Sequence, residues 1–343
     1  MKEGALIRSL IVALPTGLLV LGVGAMVFTH MNPKEKEADP NEKVRLEAAS
    51  LNRRPITQAD LEKNLAILTE QIGERHLGKP DALEQAAIWI ESTMGGANLV
   101  YQIDRHAYSV GDQEVRNLIA ELPGKSRRDE IVVIGAHYDT VPGCPGANDN
   151  GTGVVALLSL AKAFAGDPQE RTVRFVAFVN EEPPYFQTEN MGSHQYAERC
   201  SARRDNIVSM LSLETIGYFA DEEGSQRVPE GLEGDFPTTG NFLAFVGNQG
   251  SRFLADSAKT AFTFSSGIPA IGGGFLEGTP GVSWSDHWSF WKFGYPGVMV
   301  TDTAPYRYPD YHKPTDTIDK IDFSRFTKSV EGIEAVIRVW ANP

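Results

Sequence analysis

Cysteine is nearly absent: the 343 residues include two, Cys144 and Cys200. That excludes a disulfide-stapled small domain and a four-thiolate zinc site, and leaves room for one disulfide or two free thiols. Basic residues are in deficit, 32 Lys and Arg against 45 Asp and Glu, for a formal net charge of −13. A sequence-independent grip on phosphate backbones needs clustered cations that release counterions, so nucleic acid is set aside as a partner. No internal repeat is found. What is there, 41% hydrophobic and 22% charged residues, is the composition of a folded globular protein. The length admits one large domain or two ordinary ones.

Residues 9–29 form a run of 21 residues without a charge, preceded by Lys2 and Arg8. At about 1.5 Å per residue a helix of that length spans roughly 30 Å, the hydrocarbon thickness of a bilayer. Residues 1–30 are therefore read as a transmembrane signal anchor that holds the rest of the chain outside the cytoplasm, in the periplasm. The alternative is cleavage after the small residues Val23-Gly24-Ala25 and secretion, although a cleaved signal usually has an apolar stretch of only about 7–15 residues. Residues 31–54 are charged, lack apolar periodicity and read as a tether. The folded part is expected over 55–343.

Behind Thr57, Leu61, Leu65, Leu68 and Ile72 recur at helical spacing, and Gly73 supplies the stop. A second helix fits 81–94, and strands fit 100–108 and 115–122. The run EIVVIGAH at 130–137 is apolar without alternation, the mark of a strand covered on both faces. The pattern continues with helices at 151–164, 192–200, 251–261 and 323–340 and strands at 171–180, 207–213, 242–247 and 297–300. This predicts one large α/β domain, a mixed and mostly parallel central sheet with helices on both faces, preceded by the transmembrane helix. Residues 221–241, rich in Gly, Pro and acidic side chains, read as a long loop that serves as a binding surface or a lid.

In such a sheet ligands gather at the carboxyl ends of the strands. The strand at 130–137 runs into His137-Tyr138-Asp139 and then Asn148-Asp149-Asn150. The next one runs into Glu181-Glu182, the one after that delivers Glu214, and the last leads to a loop bearing His312. Each alone has a bland explanation: a surface histidine, a helix cap, a solvated charge pair. Together, imidazoles and carboxylates at successive strand ends make the donor set of zinc or another borderline divalent ion. Carboxylates can also bridge two ions held about 3.5–4 Å apart.

The motifs GAHYDTVPG, PGANDNGTG, VNEEPP, MGSHQYA, LSLETIGY, SDHWSF and YHKPTDT follow in that order, and in them residues 57–343 resemble the M28 family of zinc aminopeptidases. The M20 metallopeptidases share a similar first motif, but GANDNG and SDHWSF fit M28 better. Carried over position by position, the resemblance implies two zinc ions bridged by Asp149. His137 and Glu214 would complete one ion's protein ligands, Glu182 and His312 the other's. Glu181 matches the general base and Asp139 the carboxylate that orients the first histidine. Many members carry Asp where this chain has Glu214, whose longer side chain must fold back to reach the metal.

The implied activity is hydrolysis of N-terminal residues from peptides with a free N-terminus. Two ions would activate a shared water and polarise the scissile carbonyl, and Glu181 would take the water's proton and pass it to the leaving amine. Two alternatives stand beside it: a zinc acyltransferase like the glutaminyl cyclases, which use one zinc, and a binding module on the same fold. Tyr218, Tyr306 and Tyr308 are candidates to stabilise the developing oxyanion. Asp286 and His287 are read as supporting residues, Cys144 as structural, and His30, His76, His106 and His194 as having no companion motif.

Overall fold

The computed structural model describes residues 54–96, 101–229 and 236–343. The expected anchor and nearly all of the expected tether lie outside the described residues. Among the described residues no helix is long and apolar enough to cross a membrane.

Thr57 caps the first helix, its hydroxyl accepting from the Asp60 amide at 3.2 Å. That helix, α1 (Gln58–Ala66), runs on through a wider turn to Ile72, where Gly73 at φ 77° ends it. Helix α2 (Pro80–Met94) starts with proline in its first turn, where the missing N–H costs nothing. An antiparallel pair follows, β1 (Ile103–Val110) and β2 (Gln113–Leu122). The alternating part is β3 (Arg127–His137), α3 (Gly153–Phe164), β4 (Arg171–Phe178), α4 (Gly192–Arg203) and β5 (Asn206–Glu214). Then come β6 (Leu243–Asn248), α5 (Arg252–Ser266), β7 (Ala270–Phe275), α6 (His287–Lys292), β8 (Gly297–Thr301), α7 (Ala304–Arg307) and α8 (Phe323–Ala341).

The strands form one eight-stranded sheet in the order β1-β2-β4-β3-β5-β8-β6-β7. Its centre, β4 to β8, is parallel, as is β6 with β7, whereas β1/β2, β2/β4 and β6/β8 are antiparallel. The unalternating run in β3 is explained by two cores. Val132, Ile134 and Ala136 belong to a cluster with Leu61 of α1, Leu157 of α3 and Ile333 of α8. Ile131 and Val133 face the other way, toward Tyr196 and Cys200 of α4 and Phe290 of α6. The connection through α3 steps from β3 to β4, and the one through α4 returns past β3 to β5. That reversal opens a crevice between the carboxyl ends of β3 and β5.

Besides the four-residue α7, two elements carried no sequence signal. Strand β7, AIGGGF, lacks β-branched alternation because its glycines are demanded by close approach: a Cβ on Gly272, at φ 120°, would stand 1.9 Å from the Phe245 carbonyl oxygen. Helix α6 has six residues, too few for periodicity to register.

His287 opens α6 fully buried, its Nε2 donating to the Val282 carbonyl at 2.8 Å. Burial pushes its pKa down to about 4. The unfolded chain takes that proton near pH 6.5, so stability falls as pH drops from about 6.5 to 4, by about 2 kcal/mol at pH 5. His287→Gln, which keeps a donor for Val282, is expected to unfold at temperatures that depend less on pH between 7.5 and 5. An equal pH slope in both chains would contradict this.

Candidate metal centre

Where β3, β4, β5 and β8 end side by side, polar residues replace apolar ones. His137 closes β3 and Glu214 closes β5. Glu181 and Glu182 follow β4 through a turn that Asn180 makes at φ 59°, a conformation asparagine tolerates better than most residues. Asp149 lies in the turn Ala147–Thr152 ahead of α3, and His312 on the long connection after β8.

The structure brings these residues together. His137 Nε2 lies 3.4 Å from Asp149 Oδ1 and 3.4 Å from Glu214 Oε2. His312 Nε2 lies 3.0 Å from Asp149 Oδ2 and 3.3 Å from Glu182 Oε2. Asp149 thus offers one oxygen to each histidine. Donors about 2.0–2.1 Å from a tetrahedral ion stand about 3.3–3.4 Å apart, so both sets have the spacing of zinc ligands. Both ring nitrogens of His137, Nε2 of His312 and Oε1 of Glu182 are buried without a hydrogen-bond partner. Such groups are costly unless something completes them. A further grouping, His137 with Glu181 and Glu182, has donor atoms within 4.8 Å of one another. Glu181 Oε2 is 3.9 Å from His137 Nε2, further than the Asp149 and Glu214 oxygens at 3.4 Å.

The charge balance points the same way. Burial, reinforced by Asp149, pushes the Glu182 carboxyl up to about 8. Burial also drives Glu181 well above the carboxylate range, with Glu214 and Glu182 adding to the rise. Burial opposes a cation on His312, yet Asp149 and Glu182 lift it to about 10. Against its own burial, Asp149 is held low by His137 and His312. The site has more buried negative charge than its histidines can balance, the situation divalent cations resolve.

Asp139 faces His137 and also braces the two glutamates behind it. Its Oδ1 is 3.6 Å from His137 Nδ1, outside hydrogen-bond range, while its two oxygens accept the Glu181 and Glu182 amides at 3.1 Å each. It therefore fixes the backbone of the base candidate and of the adjacent ligand candidate. Three further supports were not foreseen. Asp316 accepts the Asn148 amide at 2.8 Å and the Asp149 amide at 3.1 Å, pinning the Asp149 turn. Arg75, fully buried, donates to the carbonyls of Tyr138 at 2.6 Å, Pro145 at 2.8 Å and Gly146 at 3.2 Å. Asp316 sits in the YHKPTDT motif and was within reach of sequence reasoning; Arg75 had no signal. Ser285, from SDHWSF, donates to Glu214 Oε2 at 2.8 Å and orients that long side chain.

The three tyrosines singled out from the sequence are engaged by other partners. Tyr308 donates to Asp316 at 2.8 Å, Tyr218 packs on Tyr308, and Tyr306 stacks on Trp284. Tyr311, from the aromatic stretch 306–311 read as pocket lining, stacks on His312 with ring centroids 3.8 Å apart and shares a cavity wall with Glu214. Burial, then the surrounding Asp149, Glu182, Glu214 and Glu181, keep its phenol protonated. His106, His194 and His287 lie away from the ligand groups, and His76 pairs with Glu74 at 2.8 Å. Cys144 and Cys200 are free and buried, and burial raises the Cys144 thiol to about 12.

The family model described as "Peptidase family M28" matches residues 117–337. The chain belongs to that family. It is a metallopeptidase by that membership, and aminopeptidases are among its relatives. YfbL of Escherichia coli K12, an uncharacterised protein, is 30% identical over 82% of this chain and 87% of its own length. Aminopeptidase YwaD of Bacillus subtilis is 28% identical over 66% of this chain, which spans under half, 45%, of YwaD. Among solved structures, the zinc aminopeptidase BSAP of Bacillus subtilis superposes with TM-score 0.66 over 84% of this chain and 96% of its own, at 18% identity. A glutaminyl cyclase from Fimbriiglobus ruber shares the fold too, with TM-score 0.60 over 83% of this chain and 96% of its own, at 20% identity.

Proposed function

We propose that this M28 peptidase is a two-zinc aminopeptidase that hydrolyses the N-terminal residue from peptides with a free amine. The observation carrying the reading is Asp149, which directs its two oxygens to two separate histidine and carboxylate sets. His137 and Glu214 would hold one ion, Glu182 and His312 the other, with Asp149 between them. Zinc held there would lower the pKa of water toward neutrality and polarise the scissile carbonyl.

The chain's own residues do the rest. Glu181, beside the ligand candidates and strapped to Asp139 through its amide, accepts the proton of the attacking water and delivers it to the leaving amine. Tyr311, its phenol kept protonated, donates to the oxygen on which negative charge develops. The cavity that opens beside Glu214 and Tyr311 is walled by Val246, Ile271, Phe275 and Met299 and takes an apolar N-terminal side chain.

The test is a panel of free-amine and N-acetylated peptides, with ammonia release from N-terminal glutamine assayed in parallel. Cleavage of free-amine peptides alone is expected. Ammonia release without peptide cleavage would move the assignment to the cyclases that share the fold. No turnover of either kind would leave a binding module.

A further inference from the structure

The apolar cavity has one wall of sheet and one of loop. The sheet wall is rigid, built on β6 and β7. The loop wall, with Val228, Pro229 and Phe236, comes from residues 218–229 and 236–242, which hold no regular element beyond an isolated bridge of Glu223 with Thr239. Something must set how far that wall stands from the sheet.

Arg307 is placed to do so. It closes α7 on the connection between β8 and His312, and it is buried. Its Nε donates to Gln226 Oε1 at 2.7 Å, and its Nη1 to the Phe242 carbonyl at 2.8 Å and the Tyr218 carbonyl at 3.4 Å. The guanidinium lies 4.4 Å from the centroid of the Phe242 ring. A Cβ on Gly240 would be 2.8 Å from Arg307 Cδ, so the second loop segment lies directly on the arginine stem. Gln226 is held in turn by Thr303, its Nε2 2.9 Å from the threonine hydroxyl. Asp302, the buried counter-charge, accepts the Tyr218 amide at 2.8 Å and Asn148 Nδ2 at 2.9 Å, linking the same wall to the turn that carries Asp149. One guanidinium thus binds both loop segments, the first through Gln226 and the Tyr218 carbonyl and the second through the Phe242 carbonyl. A planar fork of donors can serve three acceptors at once, and an ammonium cannot reproduce that geometry.

We infer that Arg307 is a positioning residue for substrate selection: with Gln226 it sets the loop wall of the cavity and so the preference for large apolar N-terminal residues over small ones. The inference rests on the aminopeptidase reading above. Remote side-chain contacts of this kind discriminate through kcat/KM, and each methylene in an apolar pocket is worth on the order of 10-fold or more.

The experiment compares kcat/KM for leucine, phenylalanine and alanine p-nitroanilides in the wild type, Arg307→Met, Arg307→Lys and Gln226→Leu, with zinc content and melting temperature recorded for each. The leucine-to-alanine ratio is expected to fall about tenfold in all three variants at undiminished zinc content. In the double variant Arg307→Met with Gln226→Leu, the ratio should fall little further, because the two residues act through one contact. A ratio unchanged in the variants, whatever happens to melting temperature, overturns the inference and makes Arg307 a packing residue only. If the arginine variants do not fold, Gln226→Leu decides by the same ratio. A wild type that cleaves no free-amine substrate overturns the aminopeptidase reading and this inference with it. A wild type that does cleave, with an unmoved ratio, overturns this inference alone.

Discussion

Replacing Glu181 by glutamine is expected to lower kcat by about 10²–10⁴-fold while zinc content stays at the wild-type value. The substitution keeps the size and leaves the hydrogen bond from the Glu181 backbone N–H to Asp139 intact, so it removes the proton acceptor and little else. Retention of metal is the informative half. Glu181 is within reach of a grouping with His137 and Glu182, but its carboxylate stands 3.9 Å from His137 Nε2, against 3.4 Å for Asp149 and for Glu214. A base next to the ions loses rate on substitution, whereas a ligand loses metal. Metal analysis beside steady-state kinetics separates the two, and a drop in bound zinc in Glu181→Gln would reassign the residue as a ligand.

The second large effect is expected at Asp149. Asparagine in its place retains one weak oxygen donor and loses the negative charge that the two proposed zinc sites would share. Each set then has two strong protein donors where catalytic zinc sites have three. Activity is expected to fall by on the order of 10³-fold, about 4 kcal/mol of transition-state stabilisation, with loss of zinc from both positions. His312→Gln should instead remove one ion and spare the other, because His312 approaches only Asp149 and Glu182. Equal zinc loss in the two variants would argue against a carboxylate shared by two sites.

What the sequence made legible follows from how the sheet is built. Strands buried on both faces read as unbroken apolar runs, and the first polar residue after each run marks a carboxyl end. His137, Glu181, Glu182 and Glu214 were visible for that reason, and Asp149 and His312 through their motifs. The supporting groups were hidden because their partners are distant along the chain. Arg75 acts 63 to 71 residues away on carbonyl oxygens, which have no signature in the side-chain pattern. Arg307 reaches back 81 residues to Gln226. Tyr311, in the aromatic stretch 306–311 read as pocket lining, was not among the oxyanion candidates for a different reason: several tyrosines crowd that stretch, and only the fold shows which one stacks on His312. Strand β7 was invisible since close packing against β6 replaced strand-forming residues with glycine. That Asp139 also accepts the Glu181 and Glu182 amides was hidden, as hydrogen bonds to backbone amides cannot be read from residue spacing.

The most direct test of the two-ion centre is a zinc titration of metal-free enzyme followed by cleavage of a free-amine peptide. Activity that climbs to its plateau at about two equivalents of zinc per chain is the predicted result. Full activity reached at one equivalent, with no change on adding the second, would contradict a centre in which Asp149 joins two working ions.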